Sequence, residues 1–151
     1  MKLDNTRFGS IEFEEIDIID FRDGLIGFPE SKRYLILNAK EESPFRWLQS
    51  IEQPTLAFLV VEPGAYLNAY APEVAVEVAT ELGLCEDRPA LVYTTAAIPP
   101  GKPEELTLNL AAPIVINPEN RIAAQVVIED PSYTIRHRVF QDAVTDERLA
   151  A

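Results

Sequence analysis

Proline sets the first limit on this chain. Twelve of its 151 residues are proline, recurring from Pro29 to Pro131, against an average usage near 5%. Proline lacks a backbone N–H and restricts the residue before it. Regular elements must therefore be short. Between the prolines lie brief runs rich in β-branched and aromatic residues, such as Leu56 to Val61. Short strands broken by turns are the pattern of an all-β sandwich or barrel.

The expected fold is mainly β, a compact antiparallel barrel-like domain with one or two short helices. Residues 3–8 and 11–13 read as a hairpin turning at Gly9-Ser10. Further strands are predicted at 16–21, 34–38, 45–51, 56–61, 91–97, 106–110, 113–117 and 122–129. The spacing of Val74, Val78 and Leu82 predicts a helix over 72–82, opened by Pro72 and closed by Gly83. A second helix is predicted over 138–144. One domain covers 1–145, and 146–151 reads as a frayed tail.

Charge narrows the partners. Twenty-five acidic and 13 basic side chains leave a net charge of −12. Both signs are spread evenly, with no basic stripe. Phosphate binding needs clustered Lys and Arg, so direct nucleic-acid binding and attraction to an anionic membrane are not expected. A basic partner would be drawn in; plain solubility is the competing reading. No apolar stretch follows Lys2, so a secretory signal is not expected. Apolar runs fall far short of the roughly 18 residues of a membrane span. A cytoplasmic, monomeric protein is the expectation.

Little in the chain supports catalysis. His137 is the only histidine and sits between Arg136 and Arg138, which disfavour a metal cation there. Cys85 is the only cysteine, so a disulfide within the chain and a Cys-based zinc site are excluded; a buried thiol is expected. No phosphate-cradling glycine loop and no nucleophile elbow is present. Adjacent carboxylates such as Glu14-Glu15 and Glu129-Asp130 read as solvated. No cofactor or metal is expected. What remains is a binding protein. Trp47, the only tryptophan, is either core or an interface anchor. In a strand it shares a face with Phe45 and Gln49. A ligand-holding β-barrel and a carboxylate acid/base enzyme are the competing classes.

Several stretches in order carry a family resemblance. They are Gly24-Leu25-Ile26-Gly27-Phe28-Pro29-Glu30, Pro44-Phe45-Arg46-Trp47-Leu48-Gln49-Ser50, the Leu56-Ala57-Phe58 run, the Pro72-to-Gly83 segment, the run from Asn109 to Asn117 with Pro118-Glu119-Asn120-Arg121, and Tyr133-Thr134-Ile135-Arg136-His137. Together, over about residues 6–140, the chain resembles the flagellar assembly factor FliW family. Two positions depart from the family pattern: Ala123 stands where a glycine is usual, and Arg138 where proline is frequent. The resemblance implies a largely β, barrel-like fold without enzymatic activity. It also implies two protein partners, flagellin and the translational repressor CsrA, whose repression of flagellin synthesis the protein would relieve. An amphipathic flagellin helix laid in an apolar groove is one conceivable mode. The partner-contact candidates are Phe28, Trp47, Gln49, Asn109, Asn117 and Asn120. Asparagine is a poor strand former, so its presence in or beside strands asks for a reason; turn formation is the structural alternative.

Overall fold

The computed structural model describes residues 1–38, 43–85 and 90–140. Eleven strands and one α-helix are assigned among them. These are β1 (Lys2–Thr6), β2 (Gly9–Glu12), β3 (Ile19–Phe21), β4 (Arg33–Asn38), β5 (Phe45–Ser50), β6 (Ala57–Val61), α1 (Val76–Leu82), β7 (Leu91–Ala97), β8 (Thr107–Leu108), β9 (Ile114–Asn117), β10 (Ile122–Gln125) and β11 (His137–Arg138). Seven of them close a barrel in the order β3-β4-β5-β6-β7-β9-β10, with β10 returning to β3. That last contact is parallel and the other pairings in the ring are antiparallel. Closure leaves no open sheet edge in the ring itself.

Alternation along each strand sorts the residues into an interior and an outer layer. Ile19, Phe21, Tyr34, Leu48, Val60, Tyr93, Ile114, Ile116 and Ala123 pack as one interior cluster. Side chains thus fill the barrel, where a ligand carrier would keep a chamber. Two outer clusters surround it. One joins Val61, Leu106, Leu108 and Leu110. The other joins Leu82, Val115, Val126 and Ile128 beneath α1. Tyr133 packs against both.

Where elements differ from the expectation, local chemistry explains it. The first hairpin turns at Arg7 and Phe8, with Thr6 opposite Gly9. The Thr6 hydroxyl donates to Gly9 O at 2.6 Å and accepts from Phe8 N–H at 3.0 Å, closing the turn. Residues 15–17 form a 3-10 turn rather than the start of β3. Helix α1 begins at Val76, not at 72. Val74 packs onto the cluster under the helix, which holds the chain before Val76 off the helical path. Gly83 ends the helix in the left-handed region at φ 73°, as its sequence position predicts. β8 is only two residues long, because Asn109 then turns the chain. The β9–β10 ladder stops at the Gln125–Ile114 pair. The next partner is Pro113, which has no N–H to give. Residues 138–140 form part of β11 and a turn, not a helix; 141–144 and the predicted tail lie outside the described residues. Cys85 is exposed rather than buried: Leu84 takes the inward position beside α1 and sends its neighbour out.

Candidate protein-binding site

The predicted contact residues do not gather on one face. Gln49 lies on β5 and is fully buried. Its Nε2 donates to Ser50 O and Pro54 O, both at 2.8 Å, and so holds the turn that leads into β6. Asn117 ends β9 and is 2% exposed. Its Nδ2 donates to Leu82 O at 2.7 Å, and its Oδ1 accepts from Glu119 N–H at 3.0 Å. Asn120 is exposed, yet its Nδ2 also donates to Leu82 O, at 3.0 Å, and its Oδ1 accepts from Ile122 N–H at 3.0 Å. Asn109 Oδ1 accepts from Ala111 and Ala112 N–H at 3.2 and 3.1 Å. The amides thus serve turns and the end of α1. Burial closes Gln49 and Asn117 to any partner in this conformation.

Phe28 and Trp47 are half-buried on other faces. Phe28 packs edge-on against Phe58 with ring centres 5.2 Å apart. The loop that presents it depends on Gly24, at φ 68°. A Cβ there would lie 2.6 Å from Phe28 O. Trp47 is covered by the tip of the first hairpin. Phe8 stands 5.4 Å away ring to ring, and the Arg7 guanidinium carbon lies 4.3 Å from the Trp47 ring centre, a cation–π stack. Half of the Trp47 question is therefore answered inside the chain: its indole packs against the chain's own hairpin and keeps partial exposure.

Two recesses lie outside the barrel, at the end of the molecule where α1 starts. The larger, about 710 Å³, runs between 71–76 and 127–130. Val76 and Val127 flank it, 77% and 65% exposed. Glu73, Glu129 and Asp130 rim it, Tyr133 forms part of its wall, and no Lys or Arg lines it. Asp130 is held below its ordinary pKa by the Ser132 hydroxyl and backbone N–H, which both donate to its carboxylate. Asp130 thus keeps its charge at neutral pH. The smaller recess, about 360 Å³, is walled by Tyr66, Tyr70, Leu110, Tyr133 and His137. Tyr70 stacks edge-on against Tyr133 at 4.8 Å and donates to Leu110 O at 2.6 Å. Burial, with Tyr133 adding a smaller push, raises the Tyr70 pKa well above the usual phenol value. Sequence reasoning passed over this end because Val127 in a predicted strand and Val74 in a predicted helix read as core; the Pro72-to-Gly83 and Tyr133 stretches carried a signal through the resemblance alone.

Chemically the described surface offers recognition. Among the described residues, no group of three His, Cys, Asp or Glu is placed to hold a metal, and no helix is long and apolar enough to cross a membrane. Fold and recesses together define a small closed β-barrel protein whose available surfaces lie on the outside of a filled core. The family model described as FliW protein matches residues 2–139, and the chain belongs to this family. It is 37% identical to the flagellar assembly factor FliW of Magnetococcus marinus, over 97% of this chain and 90% of that one. It is 37% identical to that of Natranaerobius thermophilus, over 99% of both chains. A crystal structure of the flagellar assembly factor FliW superimposes with a TM-score of 0.85 at 32% identity, covering 93% of this chain and 97% of that one. The protein's role is accordingly in flagellar assembly.

Proposed function

We propose that this chain acts in flagellar assembly as a non-enzymatic binding protein of the cytoplasm. It holds flagellin before export. When flagellin leaves, the freed protein binds the translational repressor CsrA and lifts repression of flagellin synthesis. The observation that carries this reading is a net charge of −12 on a FliW-family barrel whose interior is filled. An RNA-binding repressor needs a basic surface to hold phosphates. A strongly acidic body docked beside that surface lowers its potential and opposes RNA binding, even without covering the RNA site. Such antagonism is a coupling between two sites and therefore reciprocal: RNA on CsrA weakens binding of this protein by the same factor.

Calorimetric titration with CsrA and with flagellin of the same organism, at low and high salt, tests the reading. The expected result is binding of both, with the CsrA complex weakening as salt rises. CsrA binding indifferent to salt would discard the electrostatic mechanism. Binding of flagellin alone would reduce the protein to a flagellin chaperone. Failure of both, with all proteins folded, would overturn the reading.

A further inference from the structure

The larger recess carries an unpaired backbone edge. Beyond β10 the chain stays extended. Val126 N–H donates to Pro113 O at 2.9 Å and Ile128 N–H to Ala111 O at 2.8 Å. In an extended strand successive amides point to opposite sides. The N–H and C=O of Val127 therefore point away from 111–113. They have no hydrogen-bond partner among the described residues, and neither do those of Glu129. Across the groove, the backbone groups of Glu73 and Val74 are likewise unpaired. Elsewhere the barrel has closed its edges on itself; here an edge is left open between two exposed valines and an acidic rim.

We propose that this groove takes an extended segment of a basic partner protein, added as a further strand along Val127. Strand addition joins main-chain groups on a free edge, and alternate side chains supply specificity. The residues facing Val76 and Val127 would be apolar. Those facing Glu73, Glu129 and Asp130 would be Lys or Arg. A helix fits less well, because its own backbone groups are bonded internally and cannot pair with Val127. A second copy fits less well too, since each chain carries −12 and the groove lining holds no cation. The proposal rests on the protein-binding reading above and adds the face, the partner conformation and its charge.

Residue-resolved amide exchange tests it with synthetic peptides: Val127 and Glu129 share one face of the strand, so the basic peptide repeats valine–serine–lysine–serine, and its acidic counterpart carries glutamate in place of lysine. With the basic peptide in excess, exchange at Val127 N–H should slow by about tenfold or more, and signals of residues 73–76 and 127–129 should shift. The acidic peptide should do neither. Val127→Pro removes the N–H at the centre of this edge and should weaken the basic peptide by about tenfold. Should that variant fail to fold, the exposed pair Glu73→Lys with Glu129→Lys serves instead, and should exchange the preference of the two peptides. No binding of the basic peptide, binding without protection of Val127, or an unchanged preference in the charge-reversed variant would overturn the proposal. Titration of the native protein with whole flagellin and CsrA is a separate readout. Failure there defeats the reading above and leaves the peptide result to stand or fall by itself.

Discussion

The two ends of α1 are built in opposite ways. At its C-terminus, Gly83 turns the chain, and the amides of Asn117 and Asn120 both donate to Leu82 O. That carbonyl would otherwise be left without a partner at a helix end. At its N-terminus the capping position is Ala75, with no side-chain cap, and the chain before it runs extended with unpaired backbone groups. One end is locked into the barrel by polar side chains; the other end opens onto the acid-rimmed groove. The contrast teaches that residues without an obvious place in a strand need not be contact residues. Asn117 and Asn120, which stand out in the sequence as poor strand formers, hold the helix, and the groove is lined by valines and carboxylates that read as core or as solvated surface.

Removing the lock should produce the largest effect. Asn117→Ala deletes the donations of its amide to Leu82 O and, at 3.4 Å, to Gly83 O, and the bond accepted from Glu119 N–H, inside a buried site. A loss of about 2–3 kcal/mol is expected, read as a lower denaturant midpoint with an unchanged slope. A change near zero would mean that α1 is held by its apolar face alone. Gly83→Ala comes next. The left-handed φ costs a side chain about 1–2 kcal/mol, and the new Cβ would sit 3.3 Å from Asn120 Nδ2. Combining it with Asn120→Ala should give less than the sum of the two single effects, because the crowding amide is gone.

Tyr70→Phe sharpens the comparison from the open end. It deletes the bond to Leu110 O and should cost about 1 kcal/mol at neutral pH. Its pH dependence carries a sign. The folded state raises the Tyr70 pKa above its ordinary 10.0 through burial, so folding favours the protonated phenol. That contribution is complete below pH 10.0 and is lost as pH climbs beyond it toward the folded value. Wild-type stability should therefore fall more steeply above pH 10.0 than that of Tyr70→Phe. Denaturant midpoints across the alkaline range check this, and parallel curves would show that Tyr70 ionises without unfolding the protein. The smallest effect is a gain. Ala75→Ser places a hydroxyl at the empty capping position and should add about 0.5–1 kcal/mol. No gain in thermal midpoint would mean that the start of α1 frays too readily for a cap to count.

Much of the fold was legible. The β-class, most strand positions and the glycine stop of α1 follow from alternation, proline punctuation and helical spacing, which are local properties. Boundaries failed where a distant residue decided them. β10 is shortened by Pro113, which faces it across the ladder, and α1 starts late because Val74 is drawn onto Val115, Val126 and Ile128. The candidate site was less legible. From sequence Trp47 reads as either core or interface, and only the first hairpin folding over it decides how much of its ring is covered; Gln49 reads as a contact residue although its amide is spent on the turn before β6.

The sequence by itself determined that this is a short-stranded, acidic β protein with the stretches of a FliW-family chain, because composition, proline spacing and residue order need no partner to be read. Only the tertiary structure decided which polar residues are internal, since an asparagine's role depends on the carbonyl it reaches, 35 residues away in the case of Asn117 and Leu82. It also decided where an edge stays open. Val126, Val127 and Ile128 are alike in chemistry, and only pairing with 111–113 separates the two amides that are bonded from the one that is free.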